Sequence, residues 1–287
     1  MKKLERKIRN KIHKVFKIFL KNKTNSPYIS GDSIANLAEL QIKSLESIGS
    51  SKIESAKSIF VEGHLLLAFL DRFGKQLENK TVISGNSDFN LTALPSNMPN
   101  NFRLFCQNST LKHHGIFTLP IGIENLSLGR SGFKYYHKAI TKFGIANKIL
   151  IPPMTVTNSV RIKVTNFGKL HSSIFDVYEN YLSKKDYFSL TRNYKFIFVC
   201  EGNGFDTHRM WEVLYQNSFP VVIRSDWTET LNWLKLPILS VDKIEDISTA
   251  ILDLHLEKYK DYDSKKMKEL WTPFWKDLFS ITTKSEN

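Results

Sequence analysis

The stretch "KFIFVCEGNGFDTHRMWEVLYQNSFPVVI", residues 195–223, contains an apolar run, a loop with two glycines, a helical pattern and a second apolar run. Short apolar runs that alternate with helical patterns are typical of parallel β-sheets, because both faces of such a sheet are buried. The stretch therefore predicts a strand–helix–strand unit of an α/β fold. Ligands of open parallel sheets bind at the carboxyl ends of the strands, so the loop that follows the first run is the expected place for a site.

The loop and the first helical turn carry residue types that suit a nucleotide diphosphate. Gly202 and Gly204 are expected to adopt positive φ and to let the backbone approach a ligand. Asp206 is predicted to cap the helix, whose first N–H groups attract phosphate. The forked guanidinium of Arg209 suits a diphosphate, and Glu212, on the same face, can accept hydrogen bonds from ribose hydroxyls. The predicted donor-binding residues are Glu201, Gly202, Asn203, Gly204, Asp206, Thr207, His208, Arg209 and Glu212.

Ordinary structural explanations of this stretch compete with a ligand pocket. An arginine and a glutamate three positions apart often form a surface ion pair, and glycine-containing turns are common in α/β proteins. The glycine spacing matches neither the dinucleotide fingerprint GxGxxG nor a phosphate loop that ends in Gly-Lys-Ser/Thr. The local pattern by itself therefore leaves the pocket and the ion pair as alternatives.

The rest of the chain repeats the alternation of apolar runs and helical patterns. Runs such as "KSIFVEG", "KTVISG" and "NKILIPP" predict strands, whereas "GDSIANLAELQIKSLESIG" and the region from Ser159 to Leu182 predict helices. The pattern predicts two Rossmann-like units with a boundary near Ala146. The expected segments are a helix and linker at 1–27, a first unit at 28–146, a second unit at 147–262, and a C-terminal helix and tail at 263–287 that packs on one of the units.

The net charge of +13 is concentrated at the N-terminus, where residues 1–23 hold ten lysines and arginines and one glutamate. Apolar residues recur there at helical spacing and form one stripe flanked by lysines. This pattern predicts an amphipathic helix on an anionic membrane surface; the alternatives are a basic helix packed on the protein and a nucleic-acid contact. No apolar run reaches the ~20 residues of a spanning helix and no signal-peptide cleavage site follows one, so a peripheral protein is expected.

Cysteines and metal motifs are sparse in the sequence. Cys106 and Cys200 are far apart, which predicts neither a disulfide framework nor a metal site and favours a reducing, cytoplasmic compartment. The one Asp-x-Asp match, at residues 261–263, lies in a lysine-rich region past the last predicted strand. We therefore expect that neither a metal nor another cofactor is required.

Residues 196–223 resemble the nucleotide-binding signature of exostosin-like glycosyltransferases, in which a strand, a glycine-containing loop, an arginine, the sequence (F/W)-E-A-(L) and a strand with Pro-Val follow in order. The segments "GDSIANLAE", "TVISGNSD", "FCQN" and "LPIGIEN" resemble recurring blocks of bacterial members, and the similarity covers most of residues 28–245. The sequence departs from the pattern at Val213, where alanine is frequent, and at Glu201, where the animal proteins tend to have arginine. The donor sugar therefore does not follow from the resemblance.

The resemblance implies a GT-B arrangement, in which two Rossmann-like domains face a cleft, and transfer of a sugar from a nucleotide-diphosphate donor to a cell-surface glycan. The basic N-terminal segment adds the expectation that the acceptor is presented on a lipid carrier at the cytoplasmic face of the membrane. It places Arg209 at the donor diphosphate and Glu212 at the ribose. An inverting reaction would need a general base, for which Asp88 and Glu124 are the first choices because each follows an apolar run of the first unit. Further residues of interest are Glu62 and His64 as bases and Trp227 at the border of the donor pocket.

Two other functions are compatible with the sequence. The first is a non-catalytic protein of the same fold that binds nucleotide sugars, because no general base stands out. The second is a basic nucleic-acid-binding protein. The N-terminal segment lacks the aromatic platforms and reading motifs of such proteins, so we expect no nucleic-acid partner.

Overall fold

The computed structural model describes residues 25–280 except residue 47 and residues 129–134 and 136–145. Within these ranges the chain is an α/β structure with two five-stranded sheets, and their strands pair in parallel, which confirms the predicted class. The predicted amphipathic helix at 1–23 lies outside the described residues. The first sheet consists of β1 (Leu40–Ile42), β2 (Ser58–Glu62), β3 (Thr81–Gly85), β4 (Arg103–Cys106) and β5 (Ile116–Thr118). The second consists of β6 (Ala146–Ile151), β7 (Phe175–Val177), β8 (Tyr194–Phe198), β9 (Phe219–Ile223) and β10 (Leu239–Val241).

The helices of the described ranges are short and lie between the strands or at the ends of the chain. None of them is long and apolar enough to cross a lipid bilayer. They are α1 (Gly31–Ala35), α2 (Ser50–Ser55), α3 (Leu66–Phe73), α4 (Ser159–Leu170), α5 (Lys184–Thr191), α6 (His208–Tyr215), α7 (Asp226–Thr230), α8 (Thr249–Lys258) and α9 (Thr272–Ser280).

Two helix predictions were wrong because each spanned a short strand. The stretch from residue 31 to 49 forms α1 and then β1, whose Leu40 pairs with Ile59 of β2. The helix that starts at Ser159 ends at Leu170 and is followed by β7, which pairs with β6. Both strands are three residues long and lie at the edge of a sheet. Their extended form therefore depends on a partner strand distant in sequence.

The first sheet buries a different set of side chains on each face. On one face, Ile59 and Val61 of β2 pack in a cluster with α3, whose buried side chains recur at helical spacing as Leu66, Phe69, Leu70 and Phe73. On the other face, Phe60, Ile83 and Phe105 belong to the core that extends into the second sheet.

The C-terminal helix α9 covers part of this second face. Trp275 and Phe279 of α9 contact Phe105, with ring centroids 6.3 and 5.0 Å away. Arg103 of β4 also donates a hydrogen bond from Nη1 to the carbonyl oxygen of Leu278 at 3.1 Å. The C-terminal stretch packs on both units, whereas the sequence predicted contact with one of them: α9 covers the first sheet, and Leu270 and Trp271 contact Tyr215 of the second unit.

The second sheet adds its strands first on one side of β6 and then on the other, although all its described strands remain parallel. Its spatial order is β10-β9-β8-β6-β7, so the chain goes from β6 outward to β7 on one side and then returns to place β8 on the other side of β6. A crevice opens at the carboxyl ends of the strands where such a reversal occurs, and this is the usual ligand site of a doubly wound sheet. The order of the first sheet, β1-β2-β3-β4-β5, contains no reversal among its described strands.

Candidate functional site

A cavity of about 520 Å³ lies at the reversal point of the second sheet. Its walls come from the segments that follow β6, β7 and β8, together with one residue of the first unit. The volume falls within the roughly 300–1,000 Å³ of small-molecule sites. We call this space the polar cavity; its lining residues are Glu124, Pro153, Met154, Thr155, Arg161, Glu179, Tyr181, Leu182, Lys184, Tyr187, Cys200, Thr207, His208, Arg209 and Glu212.

Arg209 lines the polar cavity from the first turn of α6. Its Nε donates a hydrogen bond to the hydroxyl of Tyr187 at 3.2 Å, and its Nη2 donates one to the carbonyl oxygen of Pro153 at 2.8 Å. The guanidinium also lies over the Tyr187 ring, 5.6 Å from its centroid. These contacts hold the guanidinium in place but occupy only part of its donor fork. The described residues offer no protein partner to Nη1, which therefore has capacity for an anionic ligand.

A second arginine, Arg161 of α4, lies in the same wall, and the sequence analysis missed it. Its Nε donates to the carbonyl oxygen of Glu201 at 2.8 Å, and its Nη1 donates to that of Thr155 at 2.6 Å. Burial lowers the pKa of Arg161, and the nearby charge of Arg209 lowers it further. Two guanidinium groups that line one cavity can together hold an anion of more than one charge. The available signal was the position of α4 directly after β6, at the carboxyl end of a strand.

Glu212 lies deeper in the wall, with 4% of its surface exposed. Lys184 Nζ is 3.3 Å from its Oε1. The neighbouring Tyr187 is buried, which raises the pKa of its hydroxyl to about 12, so the hydroxyl stays protonated and can donate a hydrogen bond. The alternative explanation, a surface ion pair between Arg209 and Glu212, is absent from the ion pairs of the described residues, in which Glu212 pairs with Lys184 of α5. Arg209 and Glu212 nevertheless line one cavity, as the helical spacing indicated.

The first unit closes the cavity on one side. Glu124, which follows β5, lines the polar cavity together with His208 and Arg209. His208 Nδ1 lies 2.8 Å from the carbonyl oxygen of Gly122, so the loop that carries Glu124 contacts the start of α6. Thr207 Oγ1 is buried and has no hydrogen-bond partner among the described groups. A buried hydroxyl without a partner at the cavity wall is a group that a ligand or water would satisfy.

The glycine loop between β8 and α6 differs from its prediction. Gly122 is the only glycine with positive φ in the described ranges, so neither Gly202 nor Gly204 uses that freedom. Gly204 is instead required for packing, because a Cβ there would lie 2.8 Å from Nδ2 of the buried Asn108 in the first unit. At Gly202 the nearest atom to such a Cβ is Arg161 Nη2, at 3.2 Å. Asn203 is exposed and is absent from the lining of the polar cavity.

Asp206 does not cap α6, which corrects the sequence prediction. The N-cap residue is Thr207, whose side chain makes no capping hydrogen bond. The Asp206 carboxylate is buried between the units, where it accepts hydrogen bonds from Ile121 N at 2.8 Å and from Trp211 Nε1 at 2.9 Å. Its backbone N–H donates to Asn108 Oδ1 at 2.8 Å. Burial raises the pKa of Asp206 to about 7. Through these hydrogen bonds Asp206 joins the two units, and it is not part of the lining of the polar cavity.

A second, smaller cavity of about 140 Å³ adjoins the first and shares Cys200 with it. We call it the apolar cavity; it lies at the carboxyl ends of β8 and β9 and is lined by Val160, Phe198, Val199, Cys200, Glu201, Phe205, Met210, Val222, Ile223, Arg224, Ser225, Trp227 and Thr228. Burial raises the pKa of the Cys200 thiol to about 11, so the thiol is neutral at physiological pH. Trp227 lies at the border of a cavity next to the polar cavity, close to where the sequence analysis expected it.

The other candidate residues lie outside the polar cavity. Asp88 is exposed in the loop after β3, and its predicted catalytic role stays a prediction. Glu62 is the last residue of β2 and His64 follows the strand, with 3.8 Å between Glu62 Oε2 and His64 Nδ1. In the Asp-x-Asp match, the central Tyr262 is buried and its hydroxyl donates to the carbonyl oxygen of Leu214 at 2.8 Å. The described residues contain no cluster of three or more histidine, cysteine, aspartate or glutamate side chains suited to a metal ion.

Comparisons with known proteins do not identify a family for this chain. No protein-family model matches the sequence. A search of curated proteins also found no match. A function must therefore be argued from the two cavities and their residues.

Proposed function

We propose that the protein is a glycosyltransferase of the GT-B type that binds a nucleotide-diphosphate sugar in the polar cavity. The observation that carries the proposal is the set of three basic side chains in the lining of that cavity, which also holds the carboxylates of Glu124, Glu179 and Glu212. Arg161, Arg209 and Lys184 line the cavity at the reversal point of a doubly wound sheet, with the start of α6 beside them, and Glu124 lines it from the first unit. A diphosphate needs several cationic donors, and a transferase needs a carboxylate on the opposite side of the ligand.

In the proposed reaction the carboxylate, the two arginines and the Glu212–Lys184 pair of the cavity have separate roles. The bond between the anomeric carbon and the diphosphate oxygen breaks, and the electron pair leaves with the nucleoside diphosphate. The acceptor hydroxyl oxygen forms the new bond to the anomeric carbon, and Glu124 takes the hydroxyl proton. Arg161 and Arg209 hold the negative charge of the departing diphosphate without rearrangement, because hydrogen bonds to backbone carbonyls already fix both guanidinium groups. Glu212 and Lys184, which contact each other in the cavity wall, would hydrogen-bond the ribose hydroxyls.

Titration calorimetry with a nucleoside diphosphate tests the binding step. Arg209→Ala is expected to weaken binding about tenfold to a hundredfold, because it removes charge-assisted hydrogen bonds worth roughly 1.5–3 kcal/mol. Arg209→Lys keeps the charge but loses the planar fork, so an intermediate loss is expected. Glu212→Ala is a less direct probe, because it leaves Lys184 without its buried partner and is expected to lower stability as well.

Arg72→Ala is the matched control for the arginine variants. Arg72 also donates to backbone carbonyls, those of Leu45 and Ile48, but it lies in α3 of the first unit. It should leave nucleotide affinity unchanged. Equal affinity in wild type and Arg209→Ala would overturn the donor-site assignment.

Activity separates a transferase from a non-catalytic nucleotide-sugar-binding protein. Purified protein is expected to hydrolyse a nucleotide sugar slowly in the absence of acceptor and faster when a glycan acceptor is added. Glu124→Gln should bind the nucleoside diphosphate with wild-type affinity and lose at least about a hundredfold in turnover, as expected for removal of a general base. A Glu124→Gln variant with wild-type turnover would exclude Glu124 as the base.

We further propose that residues 1–23 attach the protein to the cytoplasmic face of the membrane, where a lipid-linked acceptor would be presented. The support is the density of positive charge and the apolar stripe in that segment. A truncated protein that lacks residues 1–23 should no longer co-sediment with vesicles of anionic lipid and should keep its affinity for nucleoside diphosphate. Unchanged co-sedimentation at physiological salt would contradict the proposed attachment.

A further inference from the structure

A third cavity lies on the side of the second sheet where β10 is the edge strand. Its volume is about 480 Å³, within the roughly 300–1,000 Å³ of small-molecule sites. The segment that joins β9 to β10 and the end of α8 form its walls, and none of its lining residues lines the polar cavity. We call it the edge cavity; the lining residues that matter for its chemistry are Arg224, Glu229, Asn232, Lys235, Lys258 and Tyr259.

Two lysines give the edge cavity positive charge that no carboxylate balances. Neither Lys235 nor Lys258 forms an ion pair or a side-chain hydrogen bond within the part of the chain that the structure describes. Lys258 Nζ lies over the ring of Tyr259, 5.1 Å from its centroid. Both ammonium groups therefore keep their donors available for an anionic ligand.

The other two charged residues of the wall are already paired. Arg224 Nε lies 2.9 Å from Oδ1 of Asp242, and Glu229 Oε2 lies 2.8 Å from Nζ of Lys112 in the first unit. These two pairs balance their own charges, so the excess charge of the cavity is that of the two lysines.

The backbone at Lys235 indicates that its side chain has a role. Lys235 has φ 51° and ψ 35°, in the left-handed region. Five described residues other than glycine have positive φ, and the other four are asparagines. Asparagine tolerates this conformation because its short polar side chain can hydrogen-bond locally, whereas lysine has no such advantage. The turn itself therefore does not explain a lysine at this position, and the side chain that lines the edge cavity does.

The remaining polar groups of the wall suit a ligand with hydroxyl groups. The Asn232 amide can both donate and accept, and Glu229 keeps Oε1 as an acceptor while Lys112 holds Oε2. A hydroxyl can satisfy either kind of group, whereas a bare inorganic anion offers no donor to the carboxylate and leaves most of the volume unfilled. A phosphate monoester carries about 1.5 to 2 negative charges at neutral pH, which matches two lysines.

We propose that the edge cavity binds a phosphorylated sugar, with Lys235 and Lys258 at the phosphate and Asn232 and Glu229 at the sugar hydroxyls. The Tyr259 ring supplies a flat wall beside the sugar ring. Because the edge cavity and the polar cavity have no lining residue in common, this site is additional to the proposed donor site and does not depend on it.

Calorimetric titration of the full chain tests the ligand class. The probes are the phosphate monoesters of glucose, mannose and N-acetylglucosamine, together with glucose and inorganic phosphate. At least one sugar phosphate should bind at least about tenfold more tightly than glucose or phosphate, because only the monoester satisfies both the lysines and the hydroxyl-binding groups. Equal affinity for phosphate and for the sugar phosphates would overturn the sugar assignment. Failure of all three monoesters to bind with a Kd below about 1 mM would overturn the site.

Two lysine variants locate the ligand. Lys258→Ala and Lys235→Asn should each weaken binding of the sugar phosphate about tenfold, because each removes a charge-assisted contact. Lys235→Asn should do so at an unchanged or higher melting temperature, since asparagine suits the left-handed backbone. A lower melting temperature with unchanged affinity would assign Lys235 a structural role and overturn the proposal.

Two further variants serve as controls. Lys260→Ala removes the same charge two positions after Lys258, but Lys260 pairs with Glu257 at 2.7 Å and lies outside the cavity lining, so binding should not change. Equal losses in Lys258→Ala and Lys260→Ala would show that general surface charge is the cause and would overturn the site. Arg209→Ala should also leave sugar phosphate binding unchanged. A loss in Arg209→Ala without a loss in the two lysine variants would place the ligand in the polar cavity and overturn the proposal.

Discussion

The two sheets have the same number of described strands and the same parallel pairing, but their strand orders differ. The first sheet adds each strand next to the previous one, whereas the second reverses direction between β6 and β8. Only a reversal makes the connections of neighbouring strands diverge and open a crevice at their carboxyl ends. The polar cavity and the apolar cavity are consequently lined mainly by the second unit.

The first sheet has a different role, which its contacts show. Its loops supply Ile121, Gly122 and Asn108 to the start of α6 and to the preceding loop, and they supply Glu124 to the wall of the polar cavity. One of its faces is packed against a helix from the other end of the chain. The first unit therefore contributes one residue to the wall of the polar cavity, and the other lining residues come from the second unit.

The largest expected effect comes from truncating a buried side chain of α9, the helix that covers the first sheet. Trp275 has no exposed surface and its ring contacts Phe105 and Trp233. Trp275→Ala should lower the free energy of unfolding by about 3–5 kcal/mol, as for other large aromatic residues in a core. Urea unfolding followed by circular dichroism measures the loss, and a split transition would show that the first sheet unfolds before the second.

Phe274→Ala is the control for this change. Phe274 is only partly buried on the same helix, so its truncation should cost less than half as much as that of Trp275. If Trp275→Ala cost less than about 1 kcal/mol, α9 would not be needed to complete the first sheet.

The next effect concerns the glycines of the loop between β8 and α6, which packs against the first unit. Gly204→Ala should destabilise the protein by about 1–3 kcal/mol, because the new Cβ meets a buried side chain that is held by hydrogen bonds on both sides. Gly202→Ala should cost less than about 0.5 kcal/mol, since its nearest contact is the end of a flexible arginine side chain. Thermal unfolding of the two variants compares them. Equal losses would mean that both glycines are needed for the backbone and that docking on Asn108 is not the cause.

A third effect is a pH dependence that comes from the same junction. The folded protein holds the pKa of Asp206 at about 7, above its ordinary value of 3.8. Between these values the native state keeps a proton that the unfolded state has released, so the stabilisation from this group is complete below about pH 4 and is lost as the pH rises towards 7. From about pH 4.5 to about pH 6.5, the unfolding free energy of the wild type should fall relative to Asp206→Asn by up to ~1.4 kcal/mol per pH unit.

Urea unfolding at a series of pH values gives this difference in slope. Asp88→Asn removes a carboxylate that is exposed at the surface and serves as the matched control. Parallel curves for wild type and Asp206→Asn would show that the junction carboxylate does not bind a proton in this range. The contact between the two units would then stabilise the protein through packing, without a pH-dependent contribution from Asp206.

The sequence by itself determined the class of the fold and the general place of the site. Runs such as Tyr194–Phe198 and Phe219–Ile223 are apolar because both faces of a parallel strand are buried, and this signal is local to the chain. The spacing of Arg209 and Glu212 within one helix likewise predicted that both would line one wall. Glu124, chosen because it follows an apolar run, lies in the same cavity.

Tertiary structure decided everything that depends on partners distant in sequence. The edge strands β1 and β7 are extended because a neighbouring strand pairs with them, so a local helical pattern was overridden. Asp206 and Gly204 owe their roles to Ile121 and Asn108, and Arg161 lies near Arg209 only because β6 and β8 are neighbours in the sheet. Periodicity along the chain reports which side chains are buried, whereas strand order and domain contacts determine which residues meet, and only folding brings those residues together.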